Sequence, residues 1–216
     1  PRVFPLALFH VVEARGLRGP AYVSDGWAGP WIGFYYPAER AFFDPRLEAY
    51  DPSFVTDVYQ HIRYGKPGWD AMLDRYGVDL VLLKYTTEGE RRFQEGKDNL
   101  RQLLARDPRF SLVAFDDVGE LFVRRAGRNA AAAALAIEGV DPDRGAFVGD
   151  PAAAAPSLVA AWRRGDLRSP RLGALAALAL AAAGAPRDAL ALVDEALALW
   201  PDEPRLRDVV VRLGAR

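Results

Sequence analysis

The sequence predicts an α/β fold for residues 1–125, a three-layer and mostly parallel sheet with a C-terminal hairpin strand pair, followed by an all-α segment over residues 126–216. Three observations predict it. Short apolar runs rich in β-branched and aromatic residues, at 21–23, 41–43 and 79–83, alternate with helical patterns, and strands separated by helical connections pair in parallel. Two further runs, 110–115 and 120–124, are joined only by Asp116-Asp117-Val118-Gly119, which is a hairpin signal. At about residue 126 the composition shifts: Ala rises from 10 in residues 1–125 to 27 in residues 126–216. Of the 24 aromatic residues (11 Phe, 5 Trp, 8 Tyr), only Phe147, Trp162 and Trp200 lie in the second part, so a domain boundary belongs there.

In chain order, residues 5–17 carry Leu6, Phe9, Val11 or Val12 and Leu17 at amphipathic helical spacing, with Gly16 and Gly19-Pro20 ending the helix and His10 on or beside its apolar stripe. Ala21-Tyr22-Val23 is a strand. Ser24 or Asp25 then caps a helix over about 27–36 that Pro37 stops. Residues 41–43 form a second short strand ending at Asp44-Pro45-Arg46. Ser53 is the expected N-cap of a helix through Ile62, broken at 65–68, and a second helical piece runs from Trp69 to Tyr76. The run 79–83 is apolar enough for burial on both faces. A helix over 90–106 places Phe93, Leu100, Leu103 and Leu104 inward. After the boundary only helices are expected, with residues 139–157, rich in Pro, Gly and Asp, as an irregular linker.

Composition excludes several function classes. With 28 basic against 29 acidic residues the formal charge is −1, unsuited to a general nucleic-acid binder that must neutralise phosphates. No cysteine is present, which removes disulfides, cysteine zinc sites and thiol catalysis. Two histidines, His10 and His61, leave a histidine-based metal centre without ligands, and turn chemistry explains Asp116 and Asp117 without a metal. Gly26, Gly29 and Gly33 do not form a dinucleotide fingerprint, no Lys-Ser or Lys-Thr follows a glycine-rich turn, and no G-x-S-x-G elbow occurs. No cofactor is therefore expected. The longest apolar run, about 172–186, is short of a membrane span. The chain begins at Pro1 with no leader pattern and reads as a segment of a longer protein.

Parallel strands at 21–23, 41–43 and 79–83 place Asp25, Asp44 and Lys84 at carboxyl ends, where open α/β sheets bind ligands, with Arg46 two residues beyond Asp44. Two uses fit these residues. They form a ligand edge, or Asp44 and Arg46 pair to hold a corner while Asp25 caps a helix and Lys84 is solvated.

Three groups of residues carry a resemblance: Asp25, Trp27 and Gly29; Phe43, Asp44, Arg46 and Tyr50; and Trp69, Leu73, Tyr76-Gly77-Val78-Asp79 with Val81-Leu82-Leu83. Over residues 1–125 the chain resembles the soluble C-terminal domain of bacterial polytopic membrane glycosyltransferase-like proteins, of the protein-mannosyltransferase-like class. Pro45 departs from the glycine expected in the corner between Asp44 and Arg46. The resemblance implies an extracytoplasmic position on the bacterial inner membrane, and as partners the protein's own membrane portion, a lipid-linked sugar or a partner protein. In such proteins the catalytic carboxylates lie between membrane helices, so no catalytic residue carries over. Asp25, Trp27, Asp44, Arg46 and Lys84 are the ligand-binding candidates.

The second segment resembles a short tetratricopeptide array, with Pro201 closing a repeat and Ala189 and Ala196 on its small-residue positions. Its helices are expected at about 170–183, 187–200 and 204–213, turning at Gly184-Ala185-Pro186. A single repeat buries its apolar face only on a neighbour. Three functions follow as expectations: a non-catalytic accessory domain, an interaction scaffold acting through the helical repeat, or a small enzyme using Asp25 and Asp44 as acid and base.

Overall fold

The computed structural model describes residues 4–35, 41–43, 50–86 and 99–214 of the chain. The fold is mixed α/β, with ten α-helices and a four-stranded mixed sheet among these residues.

Helix α1 (Leu6–Ala14) stops as Gly16 enters the left-handed region at φ +59°. It buries Leu8, Phe9, Val11 and Val12, whereas Leu6, expected inside, is exposed. His10 also points outward, within 3.8 Å of Glu13. Of the two positions expected for it, on or beside the apolar stripe, it takes the second, since the buried arc falls on Phe9 and Val11 to either side.

Strand β1 (Ala21–Val23) leads directly into α2 (Asp25–Tyr35), which begins two residues earlier than expected. The expected stop at Pro37 lies outside the described residues. Ala21 bridges Ala41 in parallel, with Phe42 N–H donating to Ala21 O at 2.8 Å. Asp51, rather than Ser53, closes the next helix start: its Oδ1 accepts the Ser53 N–H (2.8 Å) and hydroxyl (2.6 Å). These bonds hold the Asp51 carboxyl below its ordinary range, the Ser53 hydroxyl first and its amide second.

A π-helical turn, Phe54–Tyr59, precedes α3 (Gln60–Arg63) and α4 (Trp69–Arg75). The wide turn places Phe54 and Tyr59 in a closed circuit of stacked and tilted rings with Tyr50, Phe43, Tyr22 and Phe42. Tyr76 packs edge-on against Phe42 and Phe54. Such contacts contribute about 0.5–1.5 kcal/mol per pair beyond area burial.

Strand β2 (Leu80–Lys84) pairs with β1 in parallel, in the register Ala21–Leu80, Tyr22–Val81 and Val23–Leu82. Helix α5 (Leu100–Arg106) starts at a capping box in which Asn99 accepts from Gln102 N and Gln102 Oε1 from Asn99 N. The backbone of Asn99 is extended, so this helix begins at residue 100 and not at Glu90. Phe93, expected on its inner face, lies outside the described residues.

Strands β3 (Phe110–Phe115) and β4 (Gly119–Arg124) form the expected hairpin, with Asp116 Oδ1 accepting from Val118 N and Gly119 N. The sheet order is β1-β2-β4-β3. A link of three residues forces β3 and β4 to be antiparallel. Arg124 N–H donates to Asp79 O at 2.9 Å, which sets the end of β4 beside the start of β2, again antiparallel. Parallel pairing therefore holds where helices connect the strands, at β1, β2 and Ala41, and the sheet as a whole is mixed rather than mostly parallel.

Residues 127–129 make a 3₁₀ turn into α6 (Ala130–Ala133). The expectation of helices alone after residue 126 fails at β5 (Val140–Asp141) and β6 (Ala146–Phe147), an antiparallel pair turning through residues 142–145. The expected linker is also shorter. Asp150 caps α7 (Pro151–Arg164) through Ala152 N, and Pro151 sits in its first turn, where a missing N–H costs nothing.

Helices α8 (Pro170–Ala182), α9 (Pro186–Leu199) and α10 (Pro204–Gly214) follow. Ser169 caps α8 through Leu172 N, and Gly184 at φ +80° reverses the chain into α9. A Cβ at Gly173 would meet the Trp162 ring at 3.1 Å and Ala196 Cβ at 3.2 Å, so α8 approaches both α7 and α9 closely. Trp162 donates to Glu195, which also pairs with Arg168.

The chain divides into two compact units. One holds Pro1–Ala14, Ala114–Glu120 and Leu135–Arg216, and its core includes Leu158, Trp162, Leu175, Val193 and Leu206. Within it, Arg205 of α10 pairs with Asp117 of the hairpin tip at 2.7 Å. The other holds Arg15–Val113 and Leu121–Ala134, with Tyr22, Trp27, Trp31, Leu73 and Val81 in its core. No helix among the described residues is long and apolar enough to cross a membrane.

Candidate functional site

The carboxyl ends of β1 and β2 lie side by side because the two strands are parallel and in register up to Val23 and Leu82. Ser24 follows β1 and is tied to β2 twice. Its N–H donates to Leu82 O at 3.0 Å, and its hydroxyl accepts the Lys84 N–H at 2.9 Å. The hydroxyl that the sequence offered as a helix cap thus holds the neighbouring strand, while Ser24 O accepts Trp27 N–H to open α2. The α2 amino end is thereby fixed next to Lys84, whose side chain is exposed.

Arg101 of α5 completes this edge. Its guanidinium donates to Lys84 O at 2.7 Å and to Thr86 Oγ1 at 2.8 Å, and lies 5.8 Å from the Tyr85 ring centroid. Only 8% exposed, Arg101 locks the backbone that presents Lys84. Sequence reasoning missed it, because seventeen positions separate Arg101 from Lys84. The only sequence-level pointer is the capping box that starts α5 at Leu100.

Of the sequence-predicted residues, Lys84 reaches the edge and is exposed. Asp25 opens α2 at the same edge. Trp27 is 1% exposed and belongs to the core. Asp44 and Arg46 lie outside the described residues.

The opposite end of β2 collects a different set of charges. Arg109 binds Asp107 (2.6 Å), Asp74 (2.6 Å) and Asp70 (3.2 Å). Arg124 binds Asp74 at 2.8 Å and approaches Asp79 at 3.6 Å, which Arg128 meets at 3.2 Å. Hydrogen bonding from Arg109 holds the Asp107 carboxyl below its ordinary range, with partial burial opposing it, and the same contact raises the Arg109 guanidinium further. The carboxylates here are consumed by guanidinium groups.

Chemically, the carboxyl edge can hold an anion or a polyol through the exposed Lys84 ammonium. Among the described residues, no group of three or more His, Asp or Glu side chains is placed to hold a metal ion. No protein-family model, no curated protein and no solved structure matches this chain.

Proposed function

We propose that the chain is a non-catalytic, extracytoplasmic accessory domain of a membrane glycosyltransferase-like protein, positioning a lipid-linked sugar, an acceptor or a partner protein for the protein's own membrane portion. The observation that carries this reading is how the motif residues are used. Trp27, Phe43, Leu73, Val78, Val81, Leu82 and Leu83 are buried, and the Asp79 carboxylate is paired, so these residues build a framework rather than project chemistry into a cleft. What the edge presents beside that framework is a cation, Lys84, on an immobilised backbone.

The same reading extends to architecture. Burial along β2, β3 and β4 supports a sheet covered on both faces, in three layers. Full burial of Ala189 and Ala196, helices of 13 and 14 residues and the Gly184 turn support a tetratricopeptide-like stack at α8–α10. That stack favours a second reading, an interaction scaffold acting through α8–α10.

Titration with sugar phosphates and polyprenyl-phosphate analogues, followed by amide shifts, separates them. The accessory reading expects shifts at 24–27 and 84–86. Shifts confined to α8–α10 transfer the function to the scaffold. Sugar turnover that disappears in Asp25→Asn or Asp44→Asn makes the domain an enzyme.

A further inference from the structure

We draw no further inference here: the strongest candidate, the exposed apolar surface of the helical stack at Leu199 of α9 and Val211 of α10, rests on two single side chains, and nothing in the structure shows what covers them.

Discussion

At the amino end of β2, Asp79 sits among Arg124 and Arg128 while Arg109 gathers Asp70, Asp74 and Asp107. At the carboxyl end of the same strand, Lys84 is exposed and its backbone is held by Ser24 and Arg101. Both ends are charged and both are anchored by arginine, yet only one has its charges spent on each other. Charge density therefore does not separate a site from a scaffold in this sheet. The separation comes from whether side-chain charge is neutralised internally, as at the amino end, or whether the backbone is immobilised and the side chain left facing solvent.

The largest effect that sharpens this contrast is expected at Gly19. Its φ is +121°, a region that side chains rarely enter, and a Cβ there would stand 2.5 Å from Asp79 Oδ2 and 2.8 Å from Asp79 Cβ. Gly19→Ala must strain its backbone and push Asp79 out of its pairing with Arg128, a loss of about 3 kcal/mol. A urea midpoint within error of the parent would show that the amino end tolerates displacement.

Arg109→Met comes next. Asp107, nearly buried at 8% side-chain exposure, would keep its charge without the guanidinium, whereas the half-exposed Asp70 and Asp74 would lose little. The expected cost is about 2 kcal/mol. The same group gives the amino end its pH dependence. The folded-state pKa of Asp107 is lowered by Arg109. Its contribution is therefore complete above the unfolded value of about 3.9 and is lost as pH falls through that value toward the folded one. Urea denaturation between neutral pH and pH about 3 should show this acid-side loss in the parent and a shallower one in Arg109→Met. Parallel acid limbs would remove Asp107 as its source.

Much of the framework is legible in local signals. The Asp116 turn, the prolines opening α8, α9 and α10 and the glycine before α9 each act within a few residues, and their elements fall close to where the sequence places them. Two misses were also local. Asn99 with Gln102, and Asp150 with Pro151, are ordinary helix starts that the apolar pattern before Leu100 and the irregular composition of 139–157 outweighed. The contacts that fasten the two ends of β2 were harder to see for a different reason. Arg109 and Asp70 are 39 positions apart, and Lys84 meets Ser24 across 60, so only the tertiary fold brings each pair together. Trp27 entered the candidates as part of the motif with Asp25 and Gly29, and a motif does not report which face of α2 is covered; it is buried.

A smaller effect is expected at Ser24. Ser24→Ala removes the acceptor of the Lys84 N–H while leaving the Ser24 N–H bond to Leu82 O in place. Since Lys84 is exposed, water can replace part of the lost bond, and the cost should be about 1 kcal/mol or less. Hydrogen exchange gives the sharper readout. The Lys84 amide should lose protection while the Leu82 and Val23 pairing keeps it, and loss across the whole β1–β2 pair would mean that Ser24 supports the sheet rather than the edge.

The smallest effect on folding is expected at Lys84, and it decides what the contrast means. The Lys84 side chain is exposed, so Lys84→Met should change stability by no more than about 0.5 kcal/mol. If the carboxyl edge receives an anionic ligand, the same substitution should weaken a sugar phosphate about tenfold, because a charge-assisted hydrogen bond is lost with no compensating packing. Lys84→Arg should restore most of that loss, since the guanidinium also donates to phosphate oxygens. A Lys84→Met chain that binds as the parent does would leave the carboxyl edge as a second piece of framework, built from Ser24 and Arg101 for the same purpose that Arg109 serves at the other end of the strand.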